Sequence, residues 1–126
     1  MLEIGVSFGG SLQIWKKYFG SNSVIIGADI DGNVCDNQYL KQSEVHTFCF
    51  DASDSAYLQA FFTQISAGIR QPGVWPPPKE GALSGEASSV DIPLLYDIII
   101  DDGSHRNSDV IRTFKASFEH MSVGGV

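Results

Sequence analysis

Apolar and polar positions alternate along the chain in a repeating figure: a short apolar run, a turn rich in glycine or aspartate, then apolar residues at helical spacing. Leu2-Glu3-Ile4 is the opening run, Gly5 to Gly10 its glycine-rich turn, and Ser11 to Phe19 a helix in which Leu12, Trp15 and Phe19 recur on one face. Gly20 stands where a helix ends. Val24-Ile25-Ile26-Gly27-Ala28 is apolar throughout, the pattern of a strand buried on both faces of a parallel sheet. Asp29 to Asn33 form the next turn, Val34 to Leu40 a helix, and Val45 to Phe50 a third strand rich in β-formers. Asp51-Ala52-Ser53-Asp54 follows, with Ser53 or Asp54 placed to cap a helix whose Leu58, Phe61, Phe62 and Ile65 share a face. Tyr96 to Ile100 is the fourth strand and Asp101-Asp102-Gly103-Ser104-His105 its turn. Val110, Ile111, Phe114, Phe118 and Met121 give the last helix its buried face, and His120 lies near its C-terminus, where a cation meets the dipole favourably.

Strand, turn and helix in alternation imply βαβ units and a parallel α/β sheet flanked by helices. The rhythm breaks between Arg70 and Pro93. Gln71-Pro72-Gly73-Val74-Trp75-Pro76-Pro77-Pro78 and the Gly/Ser/Ala/Glu-rich run behind it fit neither a helix nor a strand. A segment of this length reads as a surface insertion, or as a lid over a ligand cleft with Trp75 as its apolar contact. No repeat or second domain is visible, so the chain is one domain carrying an insertion at about 70–93.

Charge narrows the function. A formal net charge of −7, with basic residues scattered apart from Lys16-Lys17, argues against a nucleic-acid surface. Cys35 and Cys49 have neither metal-ligand spacing nor the look of a disulfide framework, and read as reduced, half-buried fillers of a cytoplasmic protein. The sequence has no signal peptide and no apolar run long enough to span a membrane, so no membrane partner is expected. The first strand starts at residue 2 and Gly124-Gly125-Val126 reads as the approach to another strand, so a fragment truncated at both ends is expected.

Ligands of open parallel sheets bind where the strands' carboxyl ends splay apart. The turns Gly5–Gly10, Asp29–Asp31, Asp51–Asp54 and Asp101–His105 occupy such ends, and each carries an acidic residue or a glycine cluster. Carboxylates there suit a ligand with hydroxyls and a positive charge. Taken singly, any one of these aspartates is equally well explained as a cap or Asx-turn residue. His105 alone would read as a residue that bonds only its local backbone at the start of a helix. His46, inside a strand, is a packed or edge residue, and Trp15, Phe61 and Phe62 are core.

The opening stretch is Glu-x-Gly-x-x-x-Gly-Gly, not the dinucleotide Gly-x-Gly-x-x-Gly, and it lacks the Gly-Lys-Ser/Thr of a phosphate loop. It resembles the first motif of the class I S-adenosylmethionine-dependent methyltransferases. Tyr96-Asp97-Ile98-Ile99-Ile100-Asp101-Asp102-Gly103-Ser104-His105 is more specific. It is similar to the Asp-Asp-Gly-Ser-His signature of the macrolide-sugar (mycinamicin and macrocin type) O-methyltransferases and the related cephalosporin-hydroxylase-like group.

That resemblance implies a Rossmann-like fold and S-adenosylmethionine as cofactor. Glu3 would steady the first turn, and Gly5, Ser7, Gly9 and Gly10 would pass close to the methionine part. Asp29 would hold both ribose hydroxyls with Asp31 just beyond it, and Asp51, Ala52 and Ser53 would bracket the adenine. Asp101 belongs to the signature on the cofactor side, Asp102 takes the place of a Mg²⁺ ligand, and His105 that of the general base. The partner would be a small-molecule hydroxyl acceptor, a sugar or another small natural product. A sugar hydroxyl is a poor nucleophile, so a base must take its proton as the methyl group transfers, and imidazole titrates in a suitable range. Two rivals stay open: a cofactor-binding fragment or homologue without turnover, and a nicotinamide- or nucleotide-dependent enzyme on the same sheet. Exposed sheet edges would favour association with a second copy or another chain.

Overall fold

The computed structural model of the chain describes residues 1–66, 73–74 and 95–126. In chain order the elements are β1 (Leu2–Ile4), α1 (Gly10–Phe19), β2 (Ile26–Asp29), α2 (Gly32–Asp36), α3 (Gln38–Gln42), β3 (His46–Cys49), α4 (Ser55–Ser66), β4 (Gly73–Val74), β5 (Ile99–Asp101) and α5 (Asn107–Phe118). The strands form one parallel sheet in the order β4-β3-β2-β1-β5. Strand order runs outward from β1 to β4 and then returns to the other side of β1. The switch point therefore lies between β1 and β5, the place where such sheets open a crevice at their carboxyl ends.

Both faces of the sheet are covered, which is why its strands read as apolar runs instead of alternating ones. Leu2, Ile4, Ile26, Phe48 and Phe50 pack against Leu58, Phe61 and Phe62 of α4, with Ala116 of α5 at the margin. Ile25, Val6 and Val45 pack with Leu12 of α1, Val34 of α2 and Leu40 of α3 on the other side. The aromatic positions of α4 are core as expected: Phe61 lies 5.2 Å from Phe48 and 5.0 Å from Phe50, centroid to centroid. His46, half-buried at the start of β3, is packed.

Several expectations are corrected. The helix expected over Val34 to Leu40 is two short helices, because Asn37 takes an extended conformation and its side chain accepts the Tyr39 amide, capping α3. The break expected across residues 70–93 contains a strand after all: Gly73–Val74 pairs with Phe48 and Cys49, main chain to main chain, which side-chain patterning does not report. The remainder of that insertion, with the lid and Trp75, lies outside the described residues. The fourth strand is shorter than Tyr96 to Ile100, and Tyr96 instead forms an isolated bridge to Met121.

The last helix is seated on a different face from the one its apolar residues suggest. Thr113 and Ser117 are its buried residues, while Phe114 and Phe118 are 62% and 63% exposed and pack on each other at 5.4 Å. Small side chains let α5 lie close to the sheet beside the bulky aromatics of α4, and its aromatic stripe is left on the outer flank.

The cysteines are also corrected. Packing of α2 against β3 brings the Cα atoms of Cys35 and Cys49 to 6.1 Å, and the two are joined in a disulfide. Their separation of 14 residues carries no hint of this approach, which the fold creates. The reduced cysteines on which a cytoplasmic location was expected are therefore absent. Among the described residues no helix is long and apolar enough to cross a membrane.

Candidate functional site

The glycine turn after β1 is set by close approach. Gly5 has φ +87°, and a Cβ there would lie 2.4 Å from the carbonyl oxygen of Asp102. Only glycine lets the loop after β1 touch the backbone of the loop after β5 in this way. Gly9 also sits at positive φ, against Leu40, and leads into α1. Ser7 between them adopts φ 53°, unusual for a residue with a Cβ. Glu3 is buried beneath the turn, where Ser11 Oγ donates to one carboxylate oxygen and Trp15 Nε1 to the other at 2.8 Å. Those contacts tie the start of α1 to β1.

Asp29 holds the loop's shape from the next strand. Its Oδ2 accepts the amides of Val6 at 2.7 Å and Ser7 at 2.8 Å, and its Oδ1 accepts the Asp31 amide at 2.9 Å. An ionised carboxylate has about four acceptor positions, so the backbone occupies most of Asp29. Asp31 caps α2 through the Asn33 amide at 2.9 Å, and Asp51 makes an Asx turn with the Ser53 amide at 2.9 Å and hydroxyl at 2.7 Å. For Asp31 and Asp51 a single oxygen does this work. Local turn chemistry and ligand binding thus do not compete at these positions, since each keeps a second oxygen with no protein donor among the described residues. Asp54, through the Ala56 amide at 2.8 Å, caps α4.

These turns surround one cleft of about 920 Å³ at the carboxyl ends of the strands. Glu3, Gly5, Ser7, Gly10, Asp29, Asp31, Asp51, Ala52, Ser53, Asp101 and Asp102 all line it. Gly9 and His105 do not: Gly9 turns the chain into α1, and His105 is exposed beyond Ser104, ahead of α5. Sequence reasoning did not single out Phe8, Ile30, Arg106, Asp109 and Thr113, which also line the cleft. Phe8, 92% exposed, and Ile30, 70% exposed, give the cleft an apolar lip. Arg106 stands at the N-cap of α5 and Asp109 and Thr113 lie within it, and the only available signal for them was that the helix follows the Asp101–His105 turn.

Asp109 accepts the Ser104 hydroxyl at 2.6 Å and contacts Arg112 at 3.3 Å, and its side chain is 13% exposed. The Ser104 hydrogen bond, helped by Ser108 and by the nearby Arg112 and Arg106, holds its carboxyl below the ordinary value of 3.8 against the opposing effect of desolvation. Arg112 in turn donates to the carbonyl oxygen of Ser53.

The cleft sets the glycine turn against acidic turns, a lining that suits a ligand carrying hydroxyls. The fit to a metal is poorer. Among the described residues no three His, Cys, Asp or Glu side chains converge, and Mg²⁺ requires near-octahedral oxygen coordination. Asp102, exposed at the rim, offers part of such a shell and no more.

No protein-family model matches the chain. Over 133 aligned residues and all of its length it is 29% identical to the 8-demethyl-8-alpha-L-rhamnosyl tetracenomycin-C 2'-O-methyltransferase of Streptomyces olivaceus. It is likewise 29% identical to the demethylmacrocin O-methyltransferase of Streptomyces fradiae and 28% identical to the mycinamicin VI 2''-O-methyltransferase of Micromonospora griseorubida, again over all of its length. The chain spans about a quarter of the length of these relatives, 26%, 25% and 25% in turn. Among solved structures, the MycE methyltransferase of the mycinamycin biosynthetic pathway in complex with Mg and SAH matches with a TM-score of 0.64 at 29% identity, covering 98% of this chain and 27% of that one. Its complex with Mg, SAH and mycinamycin VI gives 0.61 at 28% identity, over 98% and 25% of the two chains. The Rossmann-like parallel fold is as expected. The resemblance to macrolide-sugar O-methyltransferases, read from Leu2–Gly10 and Tyr96–His105, extends over the whole chain.

Proposed function

We propose that this chain forms the S-adenosylmethionine-binding part of an O-methyltransferase that acts on a hydroxyl of a sugar or another small natural product. The observation that carries this reading is the convergence of the turns after β1, β2, β3 and β5 on one cleft at the switch point of the sheet. The relatives matched along its length carry names of O-methyltransferases, one of them of a rhamnosyl compound, and a matched structure holds SAH. The glycine spacing speaks against a nicotinamide cofactor.

When bound, S-adenosylmethionine would supply a methyl group on a sulfonium centre. The Gly5–Gly10 loop, held by Asp29, would seat the methionine part, while Asp29 and Asp31 would face the ribose and Asp51, Ala52 and Ser53 the adenine. Alignment of the acceptor hydroxyl with the methyl carbon would supply much of the rate. His105, outside the cleft's lining, would take the hydroxyl proton, a role that a base can fill even when it stands apart in the absence of ligand. Asp102 would be this chain's contribution to a magnesium site. Phe8 and Ile30 suit an acceptor with an apolar body beside its hydroxyl.

Calorimetric titration with S-adenosylhomocysteine tests the proposal. Saturable binding, with no competition from NAD⁺, is expected. A folded chain that gives no heat, or that binds NAD⁺ at the same site, would overturn it.

A further inference from the structure

Asp109 and Arg112 do not belong to any of the four strand-end turns, yet they join two of them. The Asp51–Asp54 turn follows β3 and the Asp101–His105 turn follows β5, strands that β2 and β1 hold apart in the sheet. Above the sheet a continuous set of polar contacts closes that gap. Ser104 Oγ donates to Asp109 Oδ2 at 2.6 Å, Arg112 contacts Asp109 Oδ1 at 3.3 Å, and Arg112 donates onward to the carbonyl oxygen of Ser53. The spacing of Asp109 and Arg112, one turn apart on α5, puts both side chains on the same side of the helix. Asp109 is 13% exposed and lines the cleft, so the carboxylate end of the pair is shielded while Arg112 is 41% exposed.

We propose that Asp109 and Arg112 are positioning residues that clasp the Ser53 turn to the Ser104 turn, fixing the adenine side of the cleft relative to the acceptor side. The inference rests on the cofactor reading above. Arg112 reaches a backbone carbonyl, so the clasp constrains the main chain of the turn whatever side chain stands at residue 53. Arginine suits the task, because one guanidinium nitrogen carries two N–H donors, and Nη1 here meets both the Asp109 carboxylate and the Ser53 carbonyl.

The test is titration of the full chain with S-adenosylhomocysteine and with adenosine, which probes the nucleoside half alone. Arg112→Ala should weaken both by about tenfold, the usual scale for losing a charge-assisted hydrogen bond. Arg112→Lys, which keeps a charged donor for the Ser53 carbonyl, should recover most of that loss. Ser104→Ala should weaken adenosine by a smaller factor, and adding it to Arg112→Ala should cost nothing further, since the chain of contacts is already broken. A folded Arg112→Ala that binds adenosine as wild type does would overturn the clasp while leaving the cofactor reading intact. So would a Ser104→Ala effect that multiplies with that of Arg112→Ala. Wild-type chain that binds neither ligand would overturn both readings.

Discussion

Asp29 lies at the end of β2, but its carboxylate is built into the loop after β1: Oδ2 accepts the amide of Ser7 at 2.8 Å and that of Val6 at 2.7 Å. The relationship makes the acidic residue part of the cradle's frame as well as of its lining. Ser7, at φ 53°, has its amide held by that carboxylate.

Replacing Asp29 by alanine should therefore do two things at once. The loop amides lose their acceptor, for a loss of about 2 kcal/mol in urea unfolding, and S-adenosylhomocysteine binding disappears. Asp29→Asn keeps an acceptor and should retain part of the stability. Binding that survives Asp29→Ala undiminished would argue against this role.

Gly5→Ala should be more damaging than a surface glycine change. The left-handed backbone alone costs about 1–2 kcal/mol with a Cβ present, and the new methyl meets the Asp102 carbonyl at 2.4 Å. The loops after β1 and β5 would have to separate. A thermal midpoint lower by several degrees, measured beside Gly10→Ala as a control in open space, is the expected outcome. Equal midpoints for the two variants would contradict it.

The Cys35–Cys49 disulfide, between residues 14 apart, closes a loop that runs from the end of α2 through α3 to the end of β3. Constraining the unfolded chain over such a loop is worth about 3 kcal/mol. Cys49 Sγ also lies 3.3 Å from the Asp31 carbonyl oxygen, beside the turn that caps α2. Unfolding in urea with and without a dithiol reductant should differ by about that amount, and Cys35→Ala with Cys49→Ala should remove the difference. Identical curves would mean that the bond adds no stability.

Stability should also depend on pH through His46. Burial, with Lys16 nearby, holds its imidazole below the ordinary value of 6.5. The unfolded chain then binds a proton that the folded chain resists, so this contribution is complete above pH 6.5 and is lost as pH falls through the folded value. Asp109 acts in the same direction at lower pH, below its ordinary 3.8. Urea midpoints measured between about pH 7.5 and about pH 5 should fall toward the acid end, and His46→Gln should flatten that slope. A midpoint that rises on acidification would refute the assignment.

What could be read from the sequence was what local physics dictates. Val24 to Ala28 is apolar because a parallel strand is covered on both faces, and Gly5 and Gly9 are glycines because the backbone there turns left-handed. The Asp101–His105 turn follows its strand directly, so the cleft's main walls could be placed before any coordinates. Tertiary packing decided the rest. Cys35 and Cys49 meet because α2 folds onto β3, and Gly73–Val74 becomes a strand because β3 offers an open edge. Phe114 and Phe118 lie outside because the small Thr113 and Ser117 bring α5 closer to the sheet than its aromatics could. Asp109 and Arg112 join two turns, at Ser53 and Ser104, that lie far apart in the sequence. Periodicity records which face of an element is apolar, but neighbours distant in sequence choose which face is buried and which side chains meet.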